Sequence, residues 1–409
     1  MIGEKFLLGI NYWPRCKAMY WWKDFSDTEV EREFKEIKSL NLSMVRIFLL
    51  WEDFQPNAYE IYGRSLKNLE IVMEIAESLG LKIMPTLFVG HMSGVNWVPA
   101  WALSESGRSP FRTITHERVV DKEIGYFYRD HDLLEAQMRL IRTIVPKLTI
   151  YPSLFGWDVG NEISSLLLPK TIEDLDFWIK ILSSEIKGLD PTHPITIGLS
   201  QEDLEVDKNI RLKLLSEYLD FPSIHGYSIY PKWVEDPLDY HIPPFLNLLT
   251  ERLGGKKALL QEVGLAIKRD SQWMDFLKRN SVERIYVANE EEGKSYYRNI
   301  LKVCHRIGAL GVFIWTFSDY PETLKDMPPF DLSPHELYFG ITKSDGSLKL
   351  VAEVLTDFMT EDVDVVKELP ETIFDINEGM YFQNPYGNLI SLFKRYKEYV
   401  QEFPETFQS

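Results

Sequence analysis

Eight short apolar runs alternate with amphipathic helical stretches along most of this chain. The alternation predicts βα units and a parallel sheet, because consecutive parallel strands need a crossover connection that is usually a helix. Eight units within 409 residues predict a (β/α)8 TIM barrel with long insertions in its βα loops and a C-terminal extension. The predicted strands are FLLGINYW (6–13), SMVRIFLL (43–50), KIMPTLFV (82–89), SLFGWDVG (153–160), ITIGLS (195–200), SIHGYS (223–228), ALLQEVG (258–264) and GVFIWTF (311–317).

Helical patterns lie between most of the predicted strands. In residues 27–41, Val30, Phe34 and Ile37 recur at the helical period, and a helical stretch also covers 65–80. Each pattern leaves one apolar face, which a barrel would bury against its strands.

The last helical pattern divides the chain. We expect the last barrel helix at 346–359, so that residues 1–359 form the barrel and residues 360–409 form an extension packed on it. Three insertions follow predicted strands three, seven and eight, and therefore belong to the barrel face that carries active sites. They cover residues 90–129, 265–287 and 318–340.

Charge and composition exclude several kinds of partner. The chain has 45 Lys and Arg against 62 Asp and Glu, a net charge of −17, so we expect no nucleic-acid partner. No apolar run reaches the roughly 18 residues that span a bilayer, so we expect no membrane partner. The N-terminal stretch lacks the features of a signal peptide, which favours a cytoplasmic location. Cys16 and Cys304 stand in no metal-ligand spacing and are expected to be free, buried thiols.

Two glutamates end strands on opposite sides of the predicted ring. Glu162 ends FGWDVGNE at the fourth strand, and Glu262 lies at the end of the seventh. Retaining glycoside hydrolysis needs two facing carboxyl groups about 5–5.5 Å apart, one as nucleophile and one as acid and base. A single glutamate more often pairs with an arginine or caps a helix. The pair at these two strand ends predicts catalysis, with a raised pKa for Glu162 as proton donor.

Other polar residues at strand ends are candidates for the same pocket. Asn161 could donate to a sugar hydroxyl, although asparagine also favours turns. Arg46 lies inside the second strand, where a buried arginine needs a partner, and we expect it to hold Glu262 ionised or to form a purely structural ion pair. His225 and Tyr227 point the same way along the sixth strand, so both could reach the pocket, and a satisfied core histidine is the alternative for His225.

Aromatic side chains near strand ends suit sugar binding, because indole rings stack on the apolar faces of sugars. Trp315 ends the eighth strand, Tyr12 and Trp13 end the first, and His91 follows the third. Ordinary core packing is the alternative for each of them. Trp97 and Trp101 in the insertion after strand three could line outer subsites, but core packing of that loop is the more common outcome.

This constellation resembles the clan A glycoside hydrolases, and it is most similar to glycoside hydrolase family 5, which holds cellulases and mannanases. The resemblance spans roughly residues 6–359. The asparagine–glutamate pair at strand four combined with a glutamate at strand seven is quite specific, whereas either alone is weak. The residues that carry the resemblance are Arg46, Asn161, Glu162, His225, Tyr227, Glu262 and Trp315.

The resemblance implies a (β/α)8 barrel and retention of anomeric configuration. It implies that Glu162 is the acid and base and that Glu262 is the nucleophile. It also implies that Asn161 contacts the sugar 2-hydroxyl and that Tyr227 and Arg46 contact the nucleophile.

Further implications concern the sugar subsites. Trp315 would lie under the sugar whose bond is cleaved. Many family members carry a polar cluster at strand three, where this sequence offers only His91, and the 90–129 insertion and the tail also differ from a minimal member.

The expected function is retaining hydrolysis of a β-1,4-linked mannan-type polysaccharide or its oligosaccharides by double displacement. A β-glucanase or an exo-β-glycosidase of the same clan is the first alternative. A transglycosylase and a glycan-binding barrel without catalysis are the others. The sequence contains no dinucleotide fingerprint, P-loop, GxSxG or zinc motif, so no cofactor and no metal are expected.

Overall fold

The computed structural model describes residues 5–278, 281–358 and 371–404. Eight parallel strands form a closed barrel, in which each strand pairs with its neighbours in the ring order β1-β8-β7-β6-β5-β4-β3-β2. All eight predicted strands and the (β/α)8 fold are therefore confirmed. The strands are β1 (Leu7–Asn11), β2 (Met44–Leu50), β3 (Lys82–Val89), β4 (Trp157–Asn161), β5 (Ile195–Leu199), β6 (Ser223–His225), β7 (Leu259–Val263) and β8 (Gly311–Ile314).

Eight helices surround this barrel, one after each strand. The first begins after Ser26, whose side chain accepts a hydrogen bond from the backbone of Glu29, and it buries Val30, Phe34 and Ile37 as its periodicity predicts. The helices are α1 (Asp27–Ser39), α2 (Gly63–Ser78), α3 (His131–Leu148), α4 (Ile172–Leu189), α5 (Leu212–Tyr218), α6 (Ile242–Gly254), α7 (Glu290–Arg306) and α8 (Leu350–Phe358).

Shorter elements occupy the loops and the C-terminal part. Single α-turns cover Trp51–Phe54, Ile163–Leu166, Glu202–Glu205 and Glu378–Tyr381, and 3₁₀ turns cover Ala18–Tyr20, Ala100–Ala102, Glu322–Leu324, Pro334–Tyr338 and Glu371–Phe374. A small sheet after β3 contains His91–Met92, Val95–Trp97, Thr113–Thr115 and Arg118–Val120. A hairpin after β7 pairs Gln272–Lys278 with Ser281–Val287, and a last long helix covers Pro385–Glu402.

The loops after β3, β7 and β8 are fastened to one another above the barrel. Arg112 in the loop after β3 donates two hydrogen bonds of 2.8 Å to Asp331 in the loop after β8. The backbone N–H of Leu277 in the hairpin donates to the carbonyl oxygen of Leu332 at 2.7 Å. These contacts join three loops into one continuous wall at the face that carries the strand ends.

Residues 371–404 pack on the outside of the barrel. The Tyr381 hydroxyl donates to the carbonyl oxygen of Leu204 at 2.6 Å, and Arg252 in α6 donates to the carbonyl oxygen of Phe374 at 2.8 Å. The expected division between residues 359 and 360 lies outside the described residues, so the domain boundary stays a prediction. Within the described ranges no helix is long and apolar enough to cross a membrane. Cys16 and Cys304 are free thiols, as predicted, but only Cys304 is buried and Cys16 is exposed.

Candidate active site

One pocket lies where the carboxyl ends of the barrel strands meet, and it contains about 900 Å³ of empty space including the solvent at its mouth. Seven of the nine predicted site residues line it. They are His91, Asn161, Glu162, His225, Tyr227, Glu262 and Trp315. Their convergence follows from the barrel, because the carboxyl ends of all eight parallel strands meet at one face.

The two predicted catalytic carboxyl groups face each other in this pocket. An oxygen of Glu162 lies within 4.8 Å of an oxygen of Glu262. His225 lies between them, with its Nδ1 atom 2.8 Å from Oε1 of Glu162 and 3.4 Å from Oε2 of Glu262. This spacing leaves room for an anomeric carbon between the carboxyl groups but not for an intervening water molecule.

Two donors fix the carboxylate of Glu262. Arg46 Nη1 donates to its Oε1 atom at 2.7 Å, and the Tyr227 hydroxyl donates to its Oε2 atom at 2.7 Å. Burial and the charge of Glu262 raise the pKa of Tyr227 well above its usual value, so the phenol remains a donor. Both carboxylate oxygens are therefore held in place.

Arg46 lies beneath the pocket and does not line it. It is fully buried, and its Nη2 atom lies 2.7 Å from Oδ2 of Asp158 on β4. The expected contact of Arg46 with Glu262 is confirmed by this geometry, whereas Arg46, which was also predicted to bind substrate, is fully buried and does not line the pocket. A buried guanidinium between two carboxylates is satisfied in charge and in hydrogen bonds, and it anchors Glu262 to the barrel interior.

Asn161 connects the barrel interior to the pocket wall. Its Oδ1 atom accepts from Arg46 Nη2 at 2.7 Å, and its Nδ2 atom donates to the carbonyl oxygen of His91 at 2.8 Å. An amide nitrogen carries two hydrogens, so one donor of Asn161 remains for a ligand. Contact with a sugar 2-hydroxyl stays a prediction.

The backbone at Glu162 adopts the left-handed conformation, with φ 45° and ψ 49°. Residues other than glycine rarely adopt this conformation, which costs of order 1 kcal/mol and is concentrated at functional sites. The conformation breaks the strand after Asn161, and the helical turn Ile163–Leu166 follows directly. A strained glutamate at the end of a barrel strand is typical of a residue placed for chemistry.

The protonation of this site differs from the sequence-based expectation. Burial alone would raise the pKa of Glu162, but the hydrogen bond from His225 and its positive charge outweigh burial, and the pKa lies below its usual value. Burial opposes charging of His225, but the negative charges of Glu262 and Glu162 raise its pKa. The expected raised pKa of Glu162 is therefore wrong for the ligand-free site, where the two shifts favour a carboxylate at Glu162 and an imidazolium at His225.

Other buried side chains of the site have simpler roles. Burial lowers the pKa of His91, whose Nδ1 atom lies 2.7 Å from Oδ1 of Asn96. Within the described part of the chain, Glu162, His225 and Glu262 also form a set of three metal-capable groups. Hydrogen bonds among these groups and from Arg46 account for the same arrangement, and the absence of a cofactor stays a prediction.

The prediction that Trp13 binds substrate is wrong. Trp13 is fully buried outside the pocket and stacks on Phe48 with a centroid distance of 4.8 Å. Tyr12 is also buried, and its hydroxyl donates to Glu33 at 2.9 Å. Strand β1 ends at Asn11, so these two residues belong to the turn that follows it, where Tyr12 packs edge-on against Phe34 of α1 at 5.0 Å.

Trp97 and Trp101 pack in the interior of the protein, which is the alternative that the sequence left open for them. Trp97 packs edge-on against Tyr20 at 5.5 Å, and Trp101 donates to the carbonyl oxygen of Gln55 at 2.8 Å. Neither of them lines the pocket. Trp315 does, and its ring meets Phe48 edge-on at 5.9 Å.

Several pocket residues were missed by the sequence reasoning, because they lie in loops whose course the sequence did not predict. Lys278 in the hairpin after β7 lies 2.9 Å from Oε1 of Glu202 in the loop after β5, and the two bridge the pocket. The only sequence signal for these residues was their position after a predicted strand. The missed residues include Gln201, Glu202, Tyr230, Phe276, Lys278, His335 and Glu336.

Comparisons with known proteins agree with this geometry. No protein-family model matches the chain. The structure is similar to that of the exo-beta-1,4-mannosidase Op5Man5 from Opitutaceae bacterium strain TAV5, with TM-score 0.69 and 24% identity, covering 87% of this chain and 59% of that one. It is also similar to GH5_18 from Streptomyces cattleya in complex with GlcNAc, with TM-score 0.71 and 20% identity, covering 89% and 83%. The expected resemblance to glycoside hydrolase family 5 is borne out in the fold. At these identities the likeness establishes the shared fold.

A curated protein also matches part of the chain. The mannan endo-1,4-beta-mannosidase F of Aspergillus clavatus is 25% identical over 151 residues. The match covers 36% of this chain and 30% of that protein, so the chain spans less than a third of this relative. The support for an activity of this chain therefore comes from the residues of its own site.

Proposed function

We propose that the protein is a retaining glycoside hydrolase that cleaves β-mannosidic linkages. The observation that carries the proposal is the pair Glu162 and Glu262, whose oxygens approach within 4.8 Å on opposite strands. Retaining enzymes hold their carboxyl groups about 5–5.5 Å apart, whereas inverting enzymes need roughly 6.5–9.5 Å to admit water. The names of the similar proteins, two of which are mannosidases, support mannose as the sugar.

In the first step Glu262 attacks the anomeric carbon, and the bond to the leaving oxygen breaks. Arg46 and Tyr227 hold the attacking carboxylate in position, and Glu162 gives a proton to the leaving oxygen. Glu262 loses its negative charge as the glycosyl ester forms, and that charge is the largest influence raising the pKa of His225. His225 therefore becomes more acidic during this step and passes its proton to Glu162, 2.8 Å away.

In the second step water attacks the glycosyl ester from the side of Glu162. Glu162 is then a carboxylate, and it takes a proton from the water as the bond from sugar to Glu262 breaks. The sugar leaves with its original configuration, and Glu262 is again a carboxylate. Its charge restores the affinity of His225 for a proton, which prepares the site for the next substrate.

Action on the terminal sugar of a chain is the finer part of the proposal. The loops after β3, β7 and β8 join into one wall through Arg112, Asp331, Leu277 and Leu332. Such a wall limits the cleft on one side. The name of Op5Man5, an exo-acting enzyme, supports this interpretation. Internal cleavage is the second candidate, and the partial match to an endo-acting mannosidase favours it.

Product sizing on mannan, mannobiose, mannotriose, cellobiose and xylobiose tests the proposal. Release of mannose alone, from the short β-mannosides first, is the expected result, and a ladder of oligosaccharides from mannan would establish internal cleavage instead. Equal or better rates on cellobiose would overturn the assignment to mannose. Binding of mannobiose with no turnover would refute hydrolysis and favour a glycan-binding barrel.

A further inference from the structure

A buried carboxyl group that the double displacement does not use lies in the same pocket. Glu336 belongs to the loop after β8, lines the pocket and is only 7% exposed. Within the described residues no lysine or arginine forms an ion pair with it, and the nearest basic atom is Nε2 of His335 at 3.6 Å. Burial raises the pKa of Glu336 to about 7, which the hydroxyl groups of Ser93 and Tyr230 only partly offset. A buried carboxyl group without a cation costs stability, so its placement in a pocket points to a ligand.

Glu336 is positioned through Tyr230. The Tyr230 hydroxyl donates to Oε1 of Glu336 at 3.2 Å and lies 3.2 Å from Nε2 of His335. Burial lowers the pKa of His335 to about 3, so its imidazole is neutral and leaves Glu336 uncompensated. Phe276 of the hairpin packs edge-on against His335 at 4.7 Å. Three loops therefore hold Glu336 at one end of the pocket.

The topology decides which part of a substrate reaches Glu336. The attacked sugar lies over Glu262, and the leaving group lies over Glu162. Strand β8, which leads to Glu336, is next to β7 and Glu262 in the ring, on the side away from β4. The Tyr230 ring packs on Tyr227 at 5.4 Å, and Tyr227 donates to Glu262. Glu336 is thus joined to the nucleophile through the two packed rings of Tyr230 and Tyr227, on the side of the attacked sugar.

We propose that Glu336, positioned by Tyr230, accepts hydrogen bonds from the hydroxyl groups of the attacked sugar that are remote from its anomeric carbon, and so selects a terminal, uncharged hexosyl unit. This inference rests on the proposed function and adds a specificity-determining residue to it. Glu336 itself has no lysine or arginine partner among the described residues, so its own negative charge disfavours a sugar acid at this position. Hydroxyl donors, by contrast, satisfy a buried carboxylate.

The test compares Glu336→Gln and Tyr230→Phe with wild type on p-nitrophenyl β-mannoside and on its 3-, 4- and 6-deoxy analogues. The matched control is Asp326→Asn, which removes an exposed carboxylate from the same loop outside the pocket. We expect Glu336→Gln to lower kcat/KM on the parent mannoside by roughly 10- to 100-fold, mainly through KM, as for loss of a hydrogen bond to a charged group. Tyr230→Phe should give a smaller loss in the same direction, and Asp326→Asn none.

The deoxy analogues separate recognition from a structural role. If Glu336 binds one of these hydroxyls, wild type should cleave the analogue that lacks it more slowly than the parent mannoside. Glu336→Gln should cleave the two substrates at nearly the same rate, so the two losses are not additive. A uniform loss on all four substrates, or no loss in Glu336→Gln, would refute the inference. Wild-type enzyme that cleaves none of the β-mannosides would refute the proposed function itself, which keeps the two failures distinct.

Discussion

Tyr227→Phe removes the single hydroxyl group that contacts the proposed nucleophile and leaves the ring in place. That hydroxyl donates to Oε2 of Glu262 at 2.7 Å, and Tyr227 is only 7% exposed. A hydrogen bond to a charged group contributes about 1.5–3 kcal/mol. Since about 1.4 kcal/mol corresponds to tenfold in rate, we expect kcat/KM to fall by roughly 10- to 100-fold. Arg46 still holds the other oxygen of Glu262, which is why activity should persist.

The assay is steady-state hydrolysis of p-nitrophenyl β-mannoside, with thermal unfolding of each variant measured alongside. Tyr12→Phe is the matched control, because Tyr12 also donates from a buried phenol to a buried carboxylate, Glu33 at 2.9 Å, outside the pocket. The control should lose stability and keep its kcat/KM. A Tyr227→Phe enzyme with wild-type kcat/KM, or a Tyr12→Phe enzyme with an equal kinetic loss, would refute the reasoning that the hydroxyl acts on the nucleophile.

Three further predictions concern the acid, the base and stability. Glu162→Ala and Glu262→Ala should each lose most activity, and azide should give a β-glycosyl azide with the first and an α-glycosyl azide with the second; the same anomer from both would contradict the assigned roles. His225→Asn should shift the alkaline limb of the pH–rate profile to lower pH. The reason is that the catalytic proton would then reside on a carboxyl group and no longer on an imidazole whose pKa is raised. An unshifted limb would contradict proton storage on His225. Asp190, which accepts from Trp157 at 2.8 Å, has its pKa lowered from 3.8 to about 2 by hydrogen bonds that outweigh burial, so its stabilisation is present above pH 3.8 and lost as pH falls towards 2. Urea unfolding at pH 6 and pH 2.5 should therefore show a smaller acid loss for Asp190→Asn than for wild type.

The barrel was predictable because its signal is local. Each strand is a short apolar run that the sequence displays directly, and helix α1 shows its buried face in Val30, Phe34 and Ile37. The hairpin after β7 was predicted only as an insertion. Three of the seven residues in each of its strands are exposed, including Trp273 at 50%, so it lacks the apolar run that reveals a buried strand.

The error at Trp13 has a local cause. Trp13 and Trp315 both lie at or near strand ends in the sequence, yet one stacks on Phe48 in the core and the other lines the pocket. Which way a side chain points beyond the last strand residue depends on the turn that follows, and the sequence does not specify that turn.

The sequence by itself determined the eight-stranded ring and therefore that Glu162 and Glu262 would meet, since parallel strands in a closed barrel bring their carboxyl ends to one face. Only the tertiary structure decided the protonation of these groups. His225 is 63 residues away from Glu162 along the chain, yet their 2.8 Å contact lowers the pKa of Glu162 and raises the pKa of His225. Only the structure brought Glu336 into the pocket. Pairwise electrostatics and loop packing depend on distances of a few ångströms between residues remote in sequence, and these arise only when the whole barrel has closed.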